Sequence, residues 1–168
     1  MTTEDKVLVL NEKQIKQKIQ RIAHEIYENH YKEKEIVIVG IKDSGLILAN
    51  RLKKLIEKIS DISVTLYSLE LHKDKPTSNP IIFSGETEDL KNKAVLVIDD
   101  VLNSGRTLIH VVKYLLDYPV KTMKTVVLVD RFHRKFPIKA DIVGMTLSTN
   151  MKEHVSVDFT KPEAVYLA

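Results

Sequence analysis

The 168-residue chain has no cysteine, which excludes a disulfide framework and any zinc site built on thiolates. It also lacks an apolar run long enough to span a bilayer. The opening stretch MTTEDKVLVLNEKQ carries acidic residues and no apolar segment of the signal-peptide kind, so a soluble, cytoplasmic protein is expected. Glycine and proline are scarce, at five each, and they gather into no linker; repeats and low-complexity tracts are missing as well. With nothing to divide it, the chain is expected to form one domain over 1–168. Neither a GxxxxGK phosphate loop nor a GxGxxG dinucleotide fingerprint occurs. His24, His30, His72, His110, His133 and His154 fall at no metal-ligand spacing, and His110 lies within a helical stretch, as a structural residue would. The formal charge of +3 is spread through the sequence, which implies solubility and selects no partner.

What the chain does have is a rhythm of apolar segments. Asn11 with Gln14 three residues later has the form of a capping box, and Ile15, Ile19, Ile22, Ala23 and Ile26 follow at helical spacing, predicting a helix over about 12–29. Ile36, Val37, Ile38 and Val39 form a β-branched run without alternation, as in a strand buried on both faces, with Gly40 expected to turn the chain at its end. A helix through Leu48, Leu52, Leu55, Ile56 and Ile59 and a strand over 62–67 complete a βαβ unit. Segment 72–92 reads as a long loop, with room for a short strand at 81–83. Strand 94–98, helix 107–117 and strand 124–129 then make a second βαβ unit. The fold class expected is α/β, an open and mostly parallel sheet with helices on both faces. Chemistry in such a sheet belongs in the loops after residues 39, 98 and 129, at the carboxyl ends of the strands.

The richest of these loops follows strand 94–98, where Asp99 and Asp100 precede Asn103, Ser104, Gly105, Arg106 and Thr107 at the opening of a helix. Free amides and the positive dipole end at a helix start receive an anion. Gly105 permits close backbone approach, and the hydroxyls of Ser104 and Thr107 add donors. The two carboxylates only accept hydrogen bonds, so they suit sugar hydroxyls rather than a phosphate. A diol grip beside a phosphate cradle describes a ribose 5-phosphate group. The same residues are also compatible with a plain strand-end pair and helix cap, or with a magnesium site.

The run VLVIDDVLNSGRT closely resembles the 13-residue signature with which type I phosphoribosyltransferases bind phosphoribosyl pyrophosphate (PRPP). Together with RIAHEI (21–26), VGIKDSGLILANRL (39–52) and LVDRFHRKFPIKADIVG (128–144), it makes the chain similar, over most of its length, to the family of bifunctional pyrimidine-operon attenuation proteins and uracil phosphoribosyltransferases. That resemblance implies the type I fold with a small hood, and transfer of ribose 5-phosphate from magnesium-bound PRPP to a nucleobase, uracil foremost, giving UMP and pyrophosphate. Lys42, Asp43, Ser44 and Gly45 would receive the pyrophosphate, and Asp99 and Asp100 the ribose, with Mg2+ held through PRPP. Residues 103–107 would hold the 5-phosphate, and His72, Lys73 and Asp74 would belong to a lid. Asp130 and Arg131, with backbone near Met151 and Lys152, would meet the base, as would Asp158, read as part of the last strand.

Two further functions are implied: a purine-type transferase, and a nucleotide-sensing regulator whose surface, including His24, Arg134 and Lys139, contacts leader RNA. A homodimer or larger homo-oligomer is implied too. A solvated turn or a subunit contact accounts equally well for Arg131, His133 and Arg134, and a nucleotide-binding pocket without turnover is a further alternative. The chain also departs from its relatives. Asp43 and Ser44 stand where the family has Thr-Arg, a change that removes positive charge and predicts a weaker grip on pyrophosphate, and His72-Lys73-Asp74 stands where it has Tyr-Arg-Asp-Asp, a change that bears on catalytic rate. Asn103 and Ser104 replace a Phe-Thr pair, and Gln20 a common Thr.

Overall fold

A computed structural model describes residues 5–72, 75, 80–150 and 153–168. Its elements run β1 (Val7–Leu10), α1 (Glu12–His30), β2 (Glu35–Ile41), α2 (Ser44–Ile59), β3 (Ser63–Glu70), β4 (Ile82–Phe83), a 3-10 turn (Thr87–Leu90), β5 (Ala94–Leu102), α3 (Arg106–Leu115), β6 (Thr122–Asp130), β7 (Ile142–Thr146), β8 (Val155–Asp158) and β9 (Ala164–Leu167). Helix α1 starts as its sequence predicts: the Asn11 side chain accepts from Gln14 N at 2.9 Å while the Gln14 side chain accepts from Asn11 N at 2.9 Å. Its Ile15, Ile19, Ile22 and Ile26 are fully buried, and each contributes about 2 kcal/mol relative to exposure.

The main sheet has strand order β4-β3-β2-β5-β6-β7 and is parallel except for the edge strand β4. Alternation sorts its side chains onto two faces. Ile36, Ile38, Leu96 and Ile98 pack with α1 and α2, whereas Val37, Val39, Val95 and Val97 pack with the α3 residues Leu108, Val111 and Leu115. Being covered on both sides, β2 and β5 are apolar at nearly every position, which is why their sequences read as unbroken runs. The hood is a separate antiparallel sheet of order β1-β9-β8, joining the two ends of the described chain. Arg21 ties α1 to the far edge of the main sheet by donating to the carbonyls of Val143 and Gly144.

Several elements differ from expectation. Strand β2 does not turn at Gly40 but continues through it to Ile41. Glycine is needed there for close packing, since a Cβ would lie 2.8 Å from both Ala49 Cβ and Leu46 Cα of α2. Strand β5 continues to Leu102, so Asp99 and Asp100 belong to the strand itself. Asp158 lies in β8, and the last strand is β9. Among the described residues, no helix is long and apolar enough to cross a membrane. Gly40→Ala is expected to cost about 1–3 kcal/mol through overpacking, read as a lower urea midpoint at unchanged slope.

Candidate active site

The strand order reverses direction between β2 and β5: the chain leaves β2 toward β3 on one side and β5 toward β6 on the other. Loops from these two strands therefore diverge above and below the sheet, leaving a crevice at their carboxyl ends. The β2–α2 loop holds Lys42, Asp43, Ser44 and Gly45, and its Lys42–Asp43 peptide is cis. Lys42 N donates to Leu69 O at 3.0 Å, and the Lys42 ammonium pairs with Glu70 at 3.7 Å, so the loop sits at the end of β3 as well. Gly45 lies directly against β5: a Cβ on it would stand 2.8 Å from Ile98 O and 3.2 Å from Asp99 Oδ1.

Across the crevice, Asp99, Asp100, Asn103, Ser104, Gly105, Arg106 and Thr107 line one pocket. Gly105 opens α3 with φ +89°, a left-handed conformation that favours glycine. Ser104 Oγ accepts from Arg106 N at 3.3 Å, a local bond across the helix start. The two carboxylates are not equivalent. Asp99 is 4% exposed, and its Oδ1 accepts from Asp100 N at 2.9 Å. Asp100 is half-buried, and its Oδ1 accepts from Val101 N at 2.8 Å.

The turn after β6 is fastened to this pocket. Arg131 N donates to Leu102 O at 3.1 Å, and the amides of Lys135 and Phe136 donate to Ser104 O at 2.8 and 3.1 Å. Arg131 is no solvated side chain. Its guanidinium reaches Asn103 Oδ1 at 3.1 Å, Thr149 Oγ1 at 3.2 Å and Glu153 O at 2.5 Å, bracing the 103–107 turn against the segment before β8. His133 Nε2 meets the Thr149 carbonyl in the same brace. Asp130, 3% exposed, has both carboxylate oxygens occupied: Oδ1 accepts from Phe132 N at 2.9 Å and Oδ2 pairs with Arg134 at 2.9 Å. A second hollow, lined by Asn103, Ser104, Arg131, Phe132, His133, Arg134 and Lys135, adjoins the first through Asn103 and Ser104. Phe132 is a lining residue that sequence reasoning missed; an aromatic ring set among Asp130, Arg131, His133 and Arg134 was the available signal.

Other candidates fall elsewhere. Asp158 is exposed in the hood, where hydrogen bonds from Thr160 Oγ1 and N hold its carboxyl below the usual carboxylate range. His72 is exposed just beyond β3, its Nδ1 accepting from Lys75 N at 3.1 Å. His24, Arg134 and Lys139 are exposed. Lys73, Asp74, Met151 and Lys152 lie outside the described residues. No group of three or more His, Asp or Glu side chains gathers at metal-binding distance among the described residues.

Two loop–helix junctions flanking strand-borne carboxylates at the carboxyl ends of a parallel sheet are the kind of place where α/β proteins take phosphate-bearing ligands. Residues 9–160 match the phosphoribosyl transferase domain family, and the chain belongs to it. The chain is 36% identical to the bifunctional protein PyrR of Mannheimia succiniciproducens over 95% of its own length and 94% of that protein. It is 38% identical to the bifunctional protein PyrR of Clostridium novyi over 92% and 90%. The hypoxanthine-guanine phosphoribosyltransferase of Bacillus anthracis shares the fold, with a TM-score of 0.78 at 20% identity over 96% of each chain.

Replacing Arg131 by Met is expected to destabilise the protein by about 2 kcal/mol, since charged donors to part-buried acceptors are lost. Arg131→Lys should cost nearly as much, because one ammonium cannot span Asn103, Thr149 and Glu153 together; denaturant titration of both variants checks this.

Proposed function

We propose that the chain transfers ribose 5-phosphate from PRPP to uracil, producing UMP and pyrophosphate. The observation that carries this reading is that the 42–45 loop–helix junction packs against β5 at Ile98 and Asp99, the strand that bears Asp99 and Asp100 and leads into the 103–106 junction. PRPP bears phosphate on both sides of a ribose diol, and this arrangement is complementary to it: amides of 103–107 for the 5-phosphate, Asp99 and Asp100 for the hydroxyls, Lys42 to Gly45 for the pyrophosphate. The PyrR relatives support a pyrimidine as acceptor.

In the reaction the C1–O bond to pyrophosphate breaks, the bond from a uracil nitrogen to C1 forms, and that nitrogen gives up its proton to the departing pyrophosphate or to solvent. Positive charge develops on the ribose ring as pyrophosphate leaves. The carboxylates beside the diol stabilise that charge, and no protein nucleophile is required. The connection between β3 and β4, with His72, Lys73 and Asp74, serves as the lid that excludes water from the cation-like ring. Asp130 and Arg131 act on base recognition by holding the 131–134 turn against Asn103.

The donor set suits Mg2+ in one particular manner. With no three-ligand cluster among the described residues, the ion would be held by PRPP oxygens and water, with the half-buried Asp100 as its protein partner. Bound so, it would neutralise the departing pyrophosphate.

A second reading, regulation through RNA, is favoured by the exposure of His24, Arg134 and Lys139 together with the bifunctional name of the relatives. A leader-type RNA hairpin should then bind with an affinity that falls steeply with salt; no binding at low salt would remove this reading.

Pyrophosphate release from PRPP and Mg2+ is expected with uracil, and Asp100→Asn should lower kcat/KM by about 10²-fold or more. Turnover confined to hypoxanthine or guanine would keep the mechanism and replace the base. PRPP binding without turnover on any base would leave the sensing role.

A further inference from the structure

We propose that Phe132 is a base-contacting residue of this site, its ring providing one face of a stack with the nucleobase. The inference rests on the transferase reading above and adds to it a residue that the phosphate-binding motif does not contain.

The backbone points to it first. Phe132 has φ +63°, in the left-handed region where a bulky side chain is strained. Such a conformation persists only when its surroundings enforce it, and here they do so on three sides. The buried Asp130 carboxylate accepts the Phe132 N–H at 2.9 Å. The preceding residue, Arg131, is bonded to Leu102 O and to Asn103. Three and four residues further on, Lys135 and Phe136 close onto Ser104 O. Phe132 is thus carried by the phosphate turn itself.

The ring's setting is the second argument. Phe132 is 66% exposed, whereas Phe83, Phe136 and Phe159 are each half-buried. It lines the hollow that shares Asn103 and Ser104 with the Asp99–Thr107 pocket, so the two spaces adjoin at the 103–104 turn. The Arg134 guanidinium lies 5.4 Å from its ring centroid and is itself held by Asp130 Oδ2. One buried carboxylate therefore orders both the backbone under the ring and the cation beside it.

An exposed phenyl group fixed in a strained conformation gains nothing for the fold. A flat heterocycle laid against it removes both faces from water, and base–aromatic stacking contributes about 1–3 kcal/mol. Stacking does not read ring edges, so this contact selects for a base as such, leaving uracil against purine to the polar groups around it.

Calorimetric titration of UMP and of ribose 5-phosphate into wild type, Phe132→Gly and Phe132→Tyr tests the assignment. The glycine variant should weaken UMP about tenfold while ribose 5-phosphate binding stays within about twofold of wild type, and the tyrosine variant should bind UMP as wild type does. The unfolding temperature of the glycine variant should not fall, because glycine accepts a positive φ without strain. In steady state, KM for uracil should rise with KM for PRPP unchanged. Equal weakening of both ligands, unchanged UMP affinity, or a lower unfolding temperature would each overturn the proposal. If wild type binds UMP no better than ribose 5-phosphate, the uracil reading fails, and the same comparison with IMP then decides on Phe132; no preference for either nucleotide overturns both.

Discussion

Helix α2 starts hard against the end of β5 because residue 45 has no side chain: any Cβ there would come within 2.8 Å of the Ile98 carbonyl oxygen and 3.0 Å of Asp99 Cα. That close approach is the constraint on which the site depends. It brings the 42–45 junction up to the strand that carries Asp99 and Asp100, and the same strand leads directly into the 103–107 turn. Two helix N-termini, each with amides its own helix cannot satisfy, are thereby held on either side of a pair of carboxylates. A side chain at position 45 would separate these groups whatever their identities.

The rest of the molecule keeps that arrangement rigid. Helices α1 and α2 on one face and α3 on the other clamp β2 and β5 through fully buried isoleucine, leucine and valine. Beyond β6, hydrogen bonds replace apolar packing as the fastener. Arg131 and Asp130 distribute their donors and acceptors over Asn103, Phe132, Arg134, Thr149 and Glu153, joining their turn to the 103–107 turn on one side and to the approach of the hood on the other. Strand β4 is held by an aromatic chain, Tyr67 of β3 to Phe83 at 5.3 Å and Phe83 to Tyr114 of α3 at 6.4 Å.

Much of this was legible in the residues, and the failures have physical causes. The capping box at Asn11 and the aliphatic runs of β2 and β5 announced themselves because local propensity and burial agree there. Gly40 misled, since a glycine after a strand ordinarily marks a turn, and nothing local reveals that α2 crosses above it. The hood strands were hard to read in detail: β1 and β9 are four residues each and pair across almost the whole chain. Placing Asp158 in the last strand failed for the same reason. The 103–107 turn was visible as a motif, but the burial that distinguishes Asp99 from Asp100 was not. Nor was the brace at Arg131, whose partners at 103, 149 and 153 are far apart in sequence.

The central claim is that one ligand bridges the two loop–helix junctions. Amide chemical shifts recorded during titration with PRPP and, separately, with ribose 5-phosphate test it most directly. The account predicts that ribose 5-phosphate moves the amides of Ser104, Gly105, Arg106 and Thr107, and that PRPP moves these together with Asp43, Ser44 and Gly45. Shifts confined to one junction with PRPP, or shifts at neither, would contradict it.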